Sequence, residues 1–195
     1  MKKLLTYYLE LTVFFSGAFV MAYEMLASRI LGPYLGTSIQ VWTIIIGVFL
    51  LSLSLGYVLG GKIADQKPHS SLLGKIIMTA SILIILSGFV YRDILMFISN
   101  TFPVITASVF SALLLFAFPS FLLGMVSPFA VKLKLRNLTN AGSTVGTLYS
   151  ISTFGSILGT ILTGFYLIPH FAVSTIIIGL SVSLLLISLG LFVQK

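Results

Sequence analysis

Long apolar stretches, separated by short segments rich in polar residues, glycine and proline, dominate the pattern of this chain. A hydrocarbon core of about 30 Å requires about 20 apolar residues per helix. The pattern therefore predicts an all-α integral membrane protein with six transmembrane helices in a single domain, residues 1–195. The predicted spans cover about 4–30, 38–60, 72–91, 104–131, 143–168 and 171–193.

The fourth span is long and contains two prolines. Pro119 and Pro128 each lack the backbone N–H that a helix uses at that position. We therefore expect a kinked or broken helix, with a re-entrant segment as the alternative. A re-entrant segment would leave an odd number of spans.

The basic residues favour the even number. With the N-terminus inside, the outer side receives only Arg29 and Arg92, which fits the excess of Lys and Arg found in cytoplasmic loops. An odd number would move Lys195 to the wrong side. We therefore predict a multi-pass protein of the cell membrane with both termini cytoplasmic. The residues assigned to the inside are Lys2, Lys3, Lys62, Lys67, Lys75, Lys132, Lys134, Arg136 and Lys195.

Composition agrees with lipid as the main solvent, since 58% of the residues are hydrophobic and 8% are charged, against about 25% charged in soluble domains. We interpret the net charge of +7 as a topology signal rather than as nucleic-acid binding. Cysteine is absent, and the two histidines, His69 and His170, are far apart in the sequence. We therefore predict no catalytic residue, no metal site and no cofactor.

Two carboxylates in the first span are candidates for a solute or ion path. Glu10 and Glu24 are 14 residues apart, close to four helical turns, so they share one face of the helix. Because a carboxylate is costly in lipid, that face should point into the bundle or into a wet cavity. In the structural alternative, Glu10 extends toward cytoplasmic lysines and Glu24 hydrogen-bonds the next helix.

Further candidates lie at the end of the first span and in the fifth. Arg29 is interpreted either as an interfacial anchor or as a partner for Glu24 across the helix end. Ser152 and Ser156 belong to a hydroxyl stripe that could line a solute path or hold helices together. Close helix packing is also predicted by three pairs of glycines at four-residue spacing. These are Gly56 and Gly60, Gly142 and Gly146, and Gly155 and Gly159.

Gly61 and Asp65 follow the second span and predict a tight cytoplasmic loop. Asp65 is expected to cap the next helix or to pair with basic residues beyond the fourth span. Together with the glycine-rich second helix, this segment resembles in part the loop signature between the second and third helices of the major facilitator superfamily.

A second resemblance covers nearly the whole chain and is to the membrane region of membrane-bound spermidine synthase-like proteins. It implies a six-helix unit comparable to half of a major facilitator bundle. In that family a soluble aminopropyltransferase domain usually follows the membrane helices, and this chain has no positions for its catalytic residues. The motifs that carry the resemblance are Tyr23 to Pro33, Gly36 to Ser38, Trp42-Thr43, Phe49 to Asp65, Pro119, Leu123 to Met125, Ser127-Pro128, and Ser152 to Gly159 continuing to Pro169.

Two functions follow as hypotheses. In the first, the chain is a non-catalytic membrane module that anchors, or moves a solute for, a separately encoded aminopropyltransferase-like partner. In the second, it is a major-facilitator-like transporter of a small cationic or polyamine-like solute, acting as a homodimer. The expected partners are thus the lipid bilayer and either that enzyme or a second copy, and no nucleic acid.

Overall fold

Six long apolar helices form the part of the chain that the computed structural model describes, residues 2–135 and 140–193. Each is long and apolar enough to cross a membrane, so the prediction of a multi-pass, all-α membrane protein is confirmed at that level. No strand occurs within these two ranges. The helices are α1 (Lys2–Leu35), α2 (Ile39–Gln66), α3 (Ser70–Thr101), α4 (Val104–Lys134), α5 (Ala141–His170) and α6 (Val173–Val193).

Several helices extend beyond the predicted bounds. α1 continues through Pro33 to Leu35, and the chain then turns at Gly36, whose φ of 80° suits a residue without a Cβ. α3 continues past residue 91, the predicted end of the span, to Thr101, and therefore includes Arg92. A helix longer than the hydrocarbon layer can carry charged side chains at its ends, where they reach the interface.

The predicted loop at Gly61 and Asp65 is wrong in conformation. Both residues belong to the last turns of α2, which ends at Gln66, and only the short segment 67–69 connects α2 to α3. The glycine does not turn the chain. Helical hydrogen bonding continues until Lys67, whose N–H still donates to the Ile63 carbonyl. The turn follows at Pro68, which cannot continue the helix.

α4 is one span with two interruptions, as its prolines predict. Leu113–Ala117 forms a π-helical segment, and a turn at Met125 separates the helical segments Phe118–Gly124 and Val126–Lys134. The chain nevertheless runs the length of the bundle, so the re-entrant alternative is not what the structure shows. α5 contains a similar π-helical segment, Thr163–Leu167, just before Pro169.

Two parallel helix pairs are held by glycine. α5 packs along α1, where a Cβ on Gly155 or Gly159 would collide with the backbone of Phe14 or Ala18. α4 packs along α2 in the same way, with Gly56 and Gly60 against Phe121 and Met125. The close approach predicted for these two glycine pairs is therefore confirmed. The prediction of close packing is wrong for the third pair, Gly142 and Gly146, because no described atom lies within 4 Å of a Cβ built at either residue.

The third pair, α3 and α6, is antiparallel. Ser81 Oγ in α3 donates to the Ser181 carbonyl in α6 at 2.6 Å. Tyr8 OH donates to the Ile187 carbonyl at 2.7 Å, which places the start of α1 beside the end of α6. We call this the terminal end of the bundle and the opposite one the distal end.

Candidate functional site

Glu10 forms an ion pair at the terminal end. Lys134 Nζ in α4 donates to Glu10 Oε1 at 2.5 Å, and the side chains are 15% and 27% exposed respectively. The structural alternative for Glu10 is therefore confirmed, since it reaches one of the lysines assigned to the cytoplasmic side. The charge of Glu10 is therefore balanced by Lys134.

Asp65 is balanced in the same way. Its Oδ1 accepts from Lys132 Nζ at 2.7 Å, which confirms the pairing with a basic residue that follows the predicted fourth span. This pair is exposed, and such pairs contribute little, about 0–1 kcal/mol. The last turn of α4 thus contacts α1 through Lys134 and α2 through Lys132, and both lysines suit the negative end of the helix dipole.

Glu24 differs from these two acids. Its side chain is half-buried, and within the described residues it has neither a hydrogen-bond partner nor an ion-pair partner. The hydrogen bond to the next helix that was its structural alternative is not formed there. In the apolar segment Leu5–Leu35, Glu24 lies only four residues, about 6 Å, beyond the midpoint near residue 20. The extended helix therefore places it closer to the centre than the shorter predicted span did.

Tyr23, the residue before Glu24, makes a central contact of the bundle. The sequence pattern does not indicate this role. Its buried hydroxyl donates to the Leu115 carbonyl at 3.0 Å and lies 3.2 Å from Ser87 Oγ. Leu115 lies in the π-helical segment Leu113–Ala117, shortly before Pro119, which has no N–H to donate. Tyr23 therefore satisfies a carbonyl inside α4 and fixes α1 next to Glu24. The rings of Phe49 and Phe116 enclose it, at centroid distances of 5.8 and 5.3 Å.

Arg29 lies exposed at the distal end and forms no ion pair with Glu24 in the described part of the chain. Five residues separate the two, which is about 140° around the helix axis, so they point in different directions. Arg29 instead borders two clefts. One, of about 300 Å³, lies toward α5 and includes Trp42 and Thr37. The other, of about 330 Å³, lies toward α3 and α6.

Ser152 and Ser156 lie in the contact between α5 and α1. A Cβ on Gly17 would collide with the Ser152 carbonyl and would lie 3.0 Å from Ser156 Oγ. Ser156 Oγ donates to the Ser152 carbonyl at 3.1 Å, an ordinary bond within a helix. The structure thus places both serines among the groups that hold these helices together.

The described residues contain no group of three or more His, Cys, Asp or Glu side chains that could hold a metal ion. Glu24 remains a half-buried carboxyl in an apolar helix without a partner among the described residues, which makes it a candidate for binding a proton or a cation. Comparisons with protein-family models, with curated proteins and with solved structures find no match.

Proposed function

We propose that this chain is a transporter unit in which Glu24 binds a small cationic solute or a proton. The observation that supports the proposal is the contrast among its acids. Lysines neutralise Glu10 and Asp65, whereas half-buried Glu24 has no partner among the described residues. An ionisable side chain inside a membrane segment is costly and is by default a functional-site candidate.

A second copy would complete the solute path. α5 packs closely on α1 but leaves most of its surface uncovered, since only 17% of an apolar stretch of 18 residues within it is buried. Tyr149 and Thr153 are among its exposed side chains. Many transporters pair two repeats around a site near the bilayer midplane. A homodimer of six-helix units, comparable to a major facilitator bundle, would follow that plan.

Reconstitution of the full chain into lipid vesicles tests the role of Glu24. Flux of putrescine, spermidine and protons is measured for the wild type, for Glu24→Gln and for the control Asp93→Asn. The control makes the same chemical change at an exposed carboxylate of α3. We expect Glu24→Gln to abolish flux at unchanged expression and Asp93→Asn to preserve it. Unchanged flux in Glu24→Gln would remove the case for this carboxyl.

The membrane module of a separately encoded aminopropyltransferase-like enzyme is the second candidate. Its support is the resemblance, in the sequence alone, to the membrane region of spermidine synthase-like proteins. Affinity capture of the full chain from native membranes tests it, with the soluble enzyme as the expected co-purifying protein. Repeated capture without any such enzyme would count against the module, and flux that depends on Glu24 would favour the transporter.

A further inference from the structure

The cleft between α1, α3 and α6 at the distal end contains two arginines. Its volume is about 330 Å³, and its polar lining comes from Arg29 and Tyr34 of α1, Tyr91 and Arg92 of α3, and Ser174 of α6. Three helices that are far apart in sequence therefore present cationic and hydroxyl groups to one space. We infer that this cleft binds a phosphate monoester or diester.

The charge of the cleft is uncompensated. Arg29 and Arg92 are both exposed, and neither forms an ion pair with a carboxylate of the described residues. Asp93 is adjacent to Arg92 in sequence, but successive residues of a helix point about 100° apart. Two guanidinium groups in one cleft repel each other, and an anion between them replaces repulsion by attraction. The planar, forked guanidinium group also matches the oxygens of a phosphate.

Tyr91 orients one of these arginines. Arg92 Nε donates to Tyr91 OH at 3.2 Å, and the guanidinium carbon lies 5.7 Å from the centroid of the Tyr91 ring. Tyr91 itself is only 9% exposed, so it forms a rigid support. The arginine is thereby held at the cleft while its remaining N–H groups stay available for a ligand.

The start of α6 adds to the positive electrostatic field in the cleft. Val173 and Ser174 line the cleft and begin a helix of 21 residues. The first backbone N–H that donates within this helix belongs to Ile176, which bonds the Ala172 carbonyl, so the preceding N–H groups are free of helical acceptors. The positive end of the helix dipole lies there and favours an anion.

The surroundings favour a phospholipid as the source of the phosphate. About two to three turns of α1 closer to the middle of the bundle, α1, α5 and α6 line an apolar groove of about 550 Å³, with Phe19, Ala22 and Leu180 among its residues. A head group in the cleft would thus place its acyl chains beside apolar helix surface. A soluble phosphate ester would use the cleft alone.

Binding measurements on the full chain purified in detergent test this site. Native mass spectrometry compares dioleoylphosphatidylglycerol, dioleoylphosphatidylcholine, glycerol 3-phosphate and inorganic phosphate. The variants are Arg29→Gln with Arg92→Gln, Arg29→Lys with Arg92→Lys, and the control Lys62→Gln with Lys67→Gln. The control removes the same charge from exposed positions at the terminal end.

We expect saturable binding of phosphatidylglycerol that weakens about tenfold or more in the glutamine pair, since charge-assisted bonds are lost. The double variant Arg29→Lys with Arg92→Lys keeps the charge and should lose less affinity, which separates loss of binding from misfolding. The control Lys62→Gln with Lys67→Gln should bind as the wild type does. Preference for the lipid over glycerol 3-phosphate identifies a head-group site, and equal affinity identifies a soluble phosphate ester. Absence of saturable binding, or equal loss in the control, would overturn the proposal and leave the arginines as interfacial anchors.

Discussion

The hydroxyl of Tyr23 donates to the Leu115 carbonyl of α4, in the π-helical segment that precedes Pro119. A proline in a transmembrane helix is tolerated when a neighbouring group satisfies the freed carbonyl. Here the compensating group comes from another helix, so the local geometry of α4 depends on α1. The sequence indicates the missing donor through the proline alone. It does not identify Tyr23, because the two residues are far apart along the chain.

Removal of this hydroxyl should destabilise the protein. Tyr23→Phe keeps the ring among Phe49 and Phe116 but leaves the Leu115 carbonyl unsatisfied in a buried position. We expect the free energy of unfolding to fall by about 1–2 kcal/mol, measured by denaturation of the purified protein in mixed micelles.

Pro119→Ala supplies the matched background for that measurement. It restores an N–H that the Leu115 carbonyl can accept, so Tyr23→Phe should then cost about 1 kcal/mol less. An identical cost in both backgrounds would show that the hydroxyl does not compensate for the proline.

Charge at single residues was partly predictable. The spacing of Glu10 and Glu24 places both on one face of α1, which is a property of the helix alone. The different environments of Glu10 and Glu24 could not be predicted from the helix alone, because Glu10 pairs with Lys134, which is 124 positions away. Asp65 could be expected to meet a lysine, since the loops of one membrane side lie close together.

At the scale of the helices, number and order followed from the sequence because each crossing needs about 20 apolar residues. The ends did not follow, since α1 and α3 continue beyond the hydrocarbon length and place Pro33 and Arg92 inside helices. The four-residue glycine spacing was equally ambiguous. It occurs twice in α5, and only the pair at Gly155 and Gly159 meets another backbone.

Alanine substitutions should show which glycine pair of α5 is in close contact with another helix. Gly155→Ala would place a methyl group against the Phe14 carbonyl and force α5 away from α1. We expect the free energy of unfolding to fall by about 1–3 kcal/mol. Gly146→Ala, in the same helix, meets no described atom within 4 Å and should change it by less than about 0.5 kcal/mol. Equal effects of the two substitutions, measured by thermal unfolding in detergent, would contradict the assigned contact.

At the scale of the whole molecule, the lysines that the structure describes gather at the terminal end, and the arginines that it describes, Arg29 and Arg92, lie toward the distal end. We propose that the terminal end is cytoplasmic, following the excess of basic residues on that side of membrane proteins. This polarity was predictable because it depends on the order of the spans and not on their packing. The pairing of α1 with α5 and of α2 with α4 required the structure.

Thiol labelling in intact cells tests the orientation. The chain contains no cysteine, so Lys67→Cys and Thr101→Cys each introduce a single thiol, at exposed positions near opposite ends of the bundle. A membrane-impermeant maleimide should label Thr101→Cys in intact cells and Lys67→Cys only after permeabilisation. The reverse pattern would invert the orientation, and labelling of both in intact cells would contradict six crossings.

The bond between Tyr23 and Leu115 also bears on biogenesis. Because α1 is synthesised before α4, Tyr23 is already present when α4 folds against the bundle. The Leu115 carbonyl therefore has its donor in the bilayer as soon as α4 packs against α1. The order of synthesis thus provides the donor before the acceptor is made.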